Sequence, residues 1–475
     1  MQVLPIPINI GANKDIEEIG LASYGAAAVD VFIDSNGNIN RRPALVELCD
    51  LSVAAGIDGL FWWDRQSKVI VVVNGRTFAI TDSDGTSTEW TSGTDAFQTG
   101  YPVYWGDFGT NLYGANGGAI TQLTSAGVRS TIGGSAPTTV SHLAVINDRL
   151  LALETGTQRM HYSDASAAGT FSGNWVSALE DPDLLKFIGV GNSIVELMGT
   201  RLIEGWRDDG STPFVHEGQY TIARGLAARH SPAFIEDRWY FLDAERKVLR
   251  LNGRTPEVIS LTMNKYIQDF TTVSDAIGGH TTFSGRPQYI LSFPTEGKTL
   301  AYDIYNGIWT ELGKWNTGTS SYDQFLGQAF CIATAWNMAL VGDRTTGKIY
   351  KFATGSYQDD STTLRSMIRT PHIHWDYPGL NKRSYRLDFY LKKASVATAS
   401  DSAELIVKWR DNGATPWGTE RTVSLGRVGK TDFHGYLNRL GMYKTRQYEF
   451  ALTDNSPLVL VKVVESFKVN TRGQG

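Results

Sequence analysis

The stretch Gly59–Gly75 reads GLFWWDRQSKVIVVVNG, and Tyr104–Gly117 reads YWGDFGTNLYGANG. Trp63 and the Asn74-Gly75 pair return as Trp105 and Asn116-Gly117, both 42 positions later. Two anchors with one offset mark an internal repeat. Each unit holds short β-rich runs parted by Gly, Asn or Asp, and Asn-Gly supplies the positive φ angles that a tight hairpin needs. Further units of similar length fall around Leu143–Tyr162, Ile188–Trp206, Ala233–Leu251, Tyr289–Trp309 and Phe330–Phe352. The same Asp-Arg step opens a hydrophobic run at Asp148-Arg149 and at Asp237-Arg238. A period of about 40 to 45 residues with several short strands marks a β-propeller blade, whereas a Greek-key sandwich has no such spacing. Six or seven blades fit between Gly59 and Phe352.

The flanks read differently. Pro5, Pro7 and the small-residue run Gly25–Ala28 form an arm, followed by a strand Val31–Ile33 that Asp34-Ser35-Asn36-Gly37 reverses. One helix interrupts the repeats: Ser260 is its candidate N-cap, and Met263, Tyr266, Ile267 and Phe270 share one face. Gly355–Thr363 is a polar linker. Beyond it, Tyr385, Leu387, Phe389 and Leu391 alternate with Arg386, Asp388 and Lys392, and the runs Leu405, Val407, Trp409 and Tyr448, Phe450, Leu452 repeat the period of two. Such alternation describes antiparallel sheet buried on one face. The expected fold is all-β: an arm and hairpin over 1–50, a β-propeller of six or seven blades over 51–363, and a basic antiparallel β-sandwich over 364–475 that forms a platform with the arm.

Composition bounds the function. With 475 residues, 41% of them hydrophobic and 20% charged, the chain buries a large core and is not a disordered tail protein. It holds no apolar run of membrane-spanning length, and Met1–Asn13 lacks a basic start followed by an apolar block, so neither a span nor a secretion signal is expected. Cys49 and Cys331 are too few for a disulfide framework and have no metal-ligand spacing around them, which points to a reducing compartment during folding. The net charge of −5 hides an asymmetry: residues 362–475 carry 18 Lys and Arg against 10 Asp and Glu, leaving 26 against 39 for residues 1–361. The acidic major part argues against tight DNA binding there, yet suits a wall past which a polyanion slides.

Catalytic patterns are incomplete. His372-Ile373-His374-Trp375-Asp376 would place two imidazoles and a carboxylate on one side of a strand, but Tyr377 stands where a metallo-hydrolase of that pattern has another His, and His434 is isolated. Glu180, Asp181 and Asp183, and the Asp208-Asp209 pair, could supply a glycosidase acid and base, but their Pro and Gly neighbours read as loop tips. Gly297-Lys298-Thr299 lacks the Gly-rich cradle of a phosphate loop, and Gly189-Val190-Gly191 lacks a third Gly. No nucleophile elbow occurs. The expectation is a protein that is not an enzyme, with no catalytic residue, metal or cofactor. Arg427, Lys430, Arg439, Lys444 and Arg446, interleaved with Phe433, Tyr436, Leu440, Met442 and Tyr443, form a basic and aromatic group suited to an acidic partner or to phosphates.

Several ordered words resemble one family. They are Gly225-Leu226-Ala227-Ala228-Arg229-His230-Ser231, Arg238–Leu242, Lys247–Gly253 and Ile259-Ser260 leading into the helix; then Tyr289–Pro294, Leu300–Asp303 and Trp309; and at the end Asn438-Arg439-Leu440-Gly441 with a closing strand Val461–Val469. This set resembles the packaged-DNA stabilisation proteins of short-tailed bacteriophages, also called tail hub, tail accessory or nozzle proteins. Arg41-Arg42-Pro43 resembles that family's Arg-x-x-Pro step, with Ala44 where a Gly commonly follows.

The resemblance implies a structural virion protein, a homohexameric ring below the portal and adaptor that retains packaged DNA and conducts it during genome ejection. It implies the portal and adaptor proteins, tail fibres or spikes and transient double-stranded DNA as partners, with no small-molecule substrate and no membrane insertion. The implied location is the virion tail, assembled in the host cytoplasm. Arg41, Arg42, Arg427, Arg439, Lys444 and Arg446 are the expected subunit or adaptor contacts. The rival readings are a propeller glycosidase acting on host surface polysaccharide, centred on Glu180 and Asp183, and a monomeric receptor-binding propeller.

Overall fold

β-Branched and aromatic runs broken by Gly, Asn and Asp turns give short antiparallel strands almost throughout. The computed structural model describes residues 1–8, 11–13, 27–94, 97–180, 183–210, 214–392, 403–426 and 432–470. The chain is all-β, and the α-helix among the described residues is the short Asn264–Gln268. Among the described residues, strands pair into six four-stranded sheets, and a further four-strand run opens a ten-stranded sheet. In chain order, sheet I spans residues 57–90, II 104–131, III 140–177, IV 187–222 and V 233–258, while VI is the run over 277–316. Sheet VII takes Gly327–Ala333, Met338–Asp343 and Lys348–Ala353, and its fourth strand is Ala44–Asp50.

The first strands of sheets I to IV and of sheets V to VII lie against their neighbours, sheets IV and V meet where Gly191 faces Phe234, and the first strand of VII returns to that of I. This cyclic order makes the architecture propeller-like. Close sheet contact rests on glycines: a Cβ on Gly189 of sheet IV would stand 2.3 Å from Trp239 of sheet V, and one on Gly279 of sheet VI 2.4 Å from Phe330 of sheet VII. Nothing larger fits these seats. Gly189 and Gly191 thus have a packing role against Trp239 and Phe234. Hairpins at Asn192-Ser193, Glu236-Asp237 and Ser284-Gly285 have positive φ at both turn positions, the conformation whose twist matches paired strands.

Three readings of the sequence shift. The 42-residue offset has the right period but not a common phase: Trp63 closes the first strand of sheet I, whereas Trp105 is the second residue of the first strand of sheet II. Asn74-Gly75 is a hairpin turn, while the buried Asn116 amide donates to the carbonyls of Gln98 at 2.7 Å and Tyr101 at 3.0 Å. Residues 44–50, expected in the arm, pair with Lys348–Ala353 and close the ring. Ser260 does not cap the helix. It accepts the Val248 N–H at 2.9 Å and lies 2.5 Å from Asn264 Oδ1, and Met263 precedes the first helical residue. Met263, Ile267 and Phe270 nevertheless bury one face in the main core.

Beyond the ring, two sheets face each other. One runs Val31–Ile33, Ile39–Arg41, Val459–Val469, Lys382–Lys392, Asp432–Tyr443, with Gln2–Pro5 also on Val459–Val469. The other extends sheet VI through Ala27–Val29, Ser366–Arg369, Arg446–Leu452, Glu404–Asp411 and Arg421–Ser424. Leu387, Phe389, Leu391 and Val463 meet Leu405, Val407, Phe450 and Leu452 between them, with the Phe389 and Phe450 rings 5.7 Å apart. Tyr385 departs from the expected alternation. A bulge between Ser384 and Arg386 inserts it, so Ser384 and Leu387 point inward and Tyr385 is exposed.

Candidate functional site

The expected contact residues divide by burial. Arg41, Arg42 and Arg446 are inside the chain, which corrects their assignment to a contact surface. A buried guanidinium persists only where its donors are taken up. Arg42 Nε donates to Asp30 at 2.7 Å and its Nη atoms to Asp359 at 3.0 and 2.5 Å, tying the segment before Ala44 to the segment after the ring. Burial opposes the charge on Arg42, but Asp30 and Asp359 outweigh it and raise its pKa. Burial pushes Asp30 up to about 6 against the pull of Arg42. Arg41 donates to Ser366 Oγ and to the carbonyls of Leu364, Asp454 and Ser456, and burial lowers its pKa to about 10. Arg446 is held by Asp411 at 2.6 and 2.8 Å and by the Leu440 carbonyl at 2.7 Å.

Arg439 and Lys444 are exposed, while Arg427 and Lys430 lie outside the described residues. Arg439 has φ 60°, the left-handed conformation, opposite the bulge at Tyr385. What residue type alone did not reveal is the face beside them. Tyr385, Tyr390, Tyr436 and Met442 are exposed on the outer side of Lys382–Lys392 and Asp432–Tyr443. Cations stand among them: Arg386 lies 4.3 Å over Tyr436, and Arg383 5.5 Å over Tyr385. His434 stacks on Tyr390 at 4.9 Å and meets Asp388 at 2.7 Å, so it is not isolated. Lys462 and Lys468 on Val459–Val469 are also exposed. The signal for this face was the period of two, read one residue out of phase before the bulge.

The catalytic-looking motifs disperse. Ile373 makes a single bridge to Arg446, after which Trp375 and Asp376 turn with φ 52° and 53°. His372 is buried and Asp376 exposed, so the three groups do not share a strand face. Among the described residues, no three His, Cys, Asp or Glu side chains are grouped to hold a metal. Trp375 instead donates to Tyr443 and Glu465, both at 2.9 Å. Asp183 accepts from Thr200 and from the Arg201 N–H at 2.6 Å; despite burial, these bonds hold its pKa below the usual carboxylate value. Glu180 sits on a loop whose N–H bonds Glu204 at 3.0 Å, and Asp181 lies outside the described residues. Asp208 caps its own turn through the Gly210 N–H at 3.0 Å. Gly297, with φ 64°, turns a hairpin into Lys298–Asp303. Cys49 and Cys331 are both free thiols.

Aromatic and imidazole rings crowd together on the first strands of sheets II, III and IV, joined by His230, which precedes sheet V and bridges to Ile277. Tyr104 and His142 have ring centres 3.9 Å apart, Phe187 lies 5.0 Å from His142, and Tyr104 Oη meets His230 Nδ1 at 2.9 Å. Burial lowers the pKa of His142 well below the ordinary value and that of His230 to about 4, with Arg229 adding to both. These rings keep neutral imidazoles in the middle of the ring.

No family model and no curated protein matches the chain. Among solved structures it is similar to the computationally designed Ika8 protein, at 12% identity and a TM-score of 0.38, over 65% of this chain and 99% of that one. It is also similar to the extracellular domain of BT4673 from B. thetaiotaomicron, at 9% identity and a TM-score of 0.43, over 91% of this chain and 61% of that one. At such scores the fold assignment rests on the strand pairing itself. Among the described residues no helix is long and apolar enough to cross a membrane.

Proposed function

We propose that the chain is a structural subunit of a short-tailed phage tail: a nozzle or hub protein that assembles as a ring, docks below the portal and adaptor, and lets DNA pass. In this reading the propeller has seven blades, the last closed by Ala44–Asp50, and the two facing sheets form a β-sandwich platform into which the arm is woven. The observation that carries the proposal is the outer platform face, where Tyr385, Tyr390, Tyr436 and Met442 are exposed among Arg383, Arg386, Lys462 and Lys468. Tyr, Met and Arg on a rigid sheet are the residue types that interfaces bury at their centres. An acidic adaptor surface would complement the charge. The acidic balance of residues 1–361 suits a wall that does not hold a phosphate backbone. In this reading a duplex would travel outside the ring of blades, between subunits.

The test is to replace Tyr390, Tyr436 and Met442 together by Ser and to mix the purified chain with the portal and adaptor complex. The expected outcome is loss of ring assembly with the melting temperature unchanged. Undiminished assembly would remove the face from the proposal.

A further inference from the structure

A second candidate site lies where the ring meets the platform. There Ile308–Asn316 passes its sheet through Ala27–Val29 to Ser366–Arg369, beside a cleft of about 580 Å³. That volume falls within the range of small-ligand pockets, which favour junctions between packed units. Two half-buried indoles, Trp315 and Trp417, stand on its walls. Each carries a guanidinium: Arg365 lies 4.5 Å over Trp315, and Arg369 4.8 Å over Trp417. Both arginines converge on Glu449, at 3.3 and 2.6 Å, and the Glu449 side chain is only 9% exposed. The indoles and guanidiniums are thereby set in place before any ligand arrives.

The charges select the ligand class. Lys408 is taken by Glu420 at 3.0 Å, while Lys298 has no carboxylate within ion-pair distance among the described residues. The cleft therefore offers a surplus cation beside indole surface, with Arg–Glu pairs that donate and accept at once. Sugar hydroxyls, each a donor and an acceptor, match such pairs; C–H faces match an indole; and a carboxylate matches Lys298 and Arg369. A single-stranded nucleic acid matches less well, because its backbone offers phosphodiesters in place of the neighbouring hydroxyls that the Arg365–Glu449 and Arg369–Glu449 pairs can take up.

We propose that this cleft binds an acidic saccharide of the hexuronate class. The proposal does not rest on ring assembly. It is tested by isothermal titration calorimetry of the full chain with trigalacturonate, its neutral counterpart galactotriose, and an oligothymidylate. Trigalacturonate is expected to bind, with affinity that falls as salt rises and drops about tenfold or more in Trp417→Ala and in Lys298→Ala. Trp417 lies outside the strands and Lys298 begins one, so circular dichroism melts establish that both variants remain folded. The salt dependence is read on the unaltered chain and needs no variant. Equal binding of galactotriose, binding of the oligothymidylate in place of the uronate, salt-independent binding, or unchanged affinity in both folded variants would each overturn the proposal. Because the measurement is made on the isolated chain, its failure leaves the tail-protein reading untouched.

Discussion

Glu196→Gln should stabilise the protein, and more so as pH rises. Glu196 lies on Ile194–Met198 of sheet IV and is 2% exposed. Its Oε1 accepts the Tyr220 hydroxyl at 3.2 Å, and its Oε2 has no partner among the described residues. Burial raises its pKa from 4.5 to about 8, and the Trp239 and Tyr220 side chains facing it offset only part of that. A carboxyl whose folded pKa exceeds its unfolded one leaves stability intact below about 4.5 and costs stability as pH rises toward 8. At pH 7 the folded chain retains a proton that the unfolded chain has released, a linkage worth at most about 3 kcal/mol. Gln keeps the shape and an acceptor for Tyr220 without that linkage. Urea unfolding of both proteins at pH 5 and pH 8.5 reads the effect, with about 1 to 3 kcal/mol more stability for the variant at the higher pH and a smaller gain at the lower. A variant that is less stable at pH 8.5, or a difference independent of pH, would refute the reasoning.

Other outcomes follow from the same packing. Arg42→Met leaves Asp30 and Asp359 buried without their cation and should cost about 3 to 5 kcal/mol by urea denaturation, whereas Arg439→Met on the surface should cost under about 1. Gly189→Ala drives a methyl into Trp239 and should lower stability by about 1 to 3 kcal/mol, with a change in tryptophan fluorescence as Trp239 leaves its seat. His142 and His230 are held neutral, so their contribution is present above pH 6.5 and is lost as pH falls toward 4. The melting temperature should therefore drop between pH 7 and pH 5, and His142→Phe should flatten that drop; an unchanged slope would clear His142 of the effect.

Local structure was legible where neighbours in sequence decide it. The Asp-Arg steps do open strands at Arg149 and Arg238, and the Asn74-Gly75 turn is where the hairpin reverses. Alternation also placed Leu387, Phe389, Leu391, Leu405, Val407 and Phe450 in the core. What remained hidden depends on distant partners. Ala44–Asp50 joins sheet VII only because Lys348–Ala353 offers an open edge at the far end of the ring. Arg41, Arg42 and Arg446 looked like surface charges because composition cannot show that Asp30 and Asp359 meet Arg42, that Asp411 meets Arg446, and that Ser366 and the carbonyls of Leu364, Asp454 and Ser456 take up Arg41. Tyr385 was read inward because one inserted residue reverses the alternation without any mark in the letters. The candidate cleft was invisible for the same reason: Trp315, Arg365, Trp417 and Glu449 come together only through the junction of two sheets.

The most direct test of the central claim is the mass and symmetry of the purified chain, alone and with a short-tailed phage portal and adaptor complex, by light scattering and negative-stain imaging. The expected result is a sixfold ring seated on the adaptor, lost when Tyr390, Tyr436 and Met442 are replaced. A chain that stays monomeric and ignores the adaptor would contradict it.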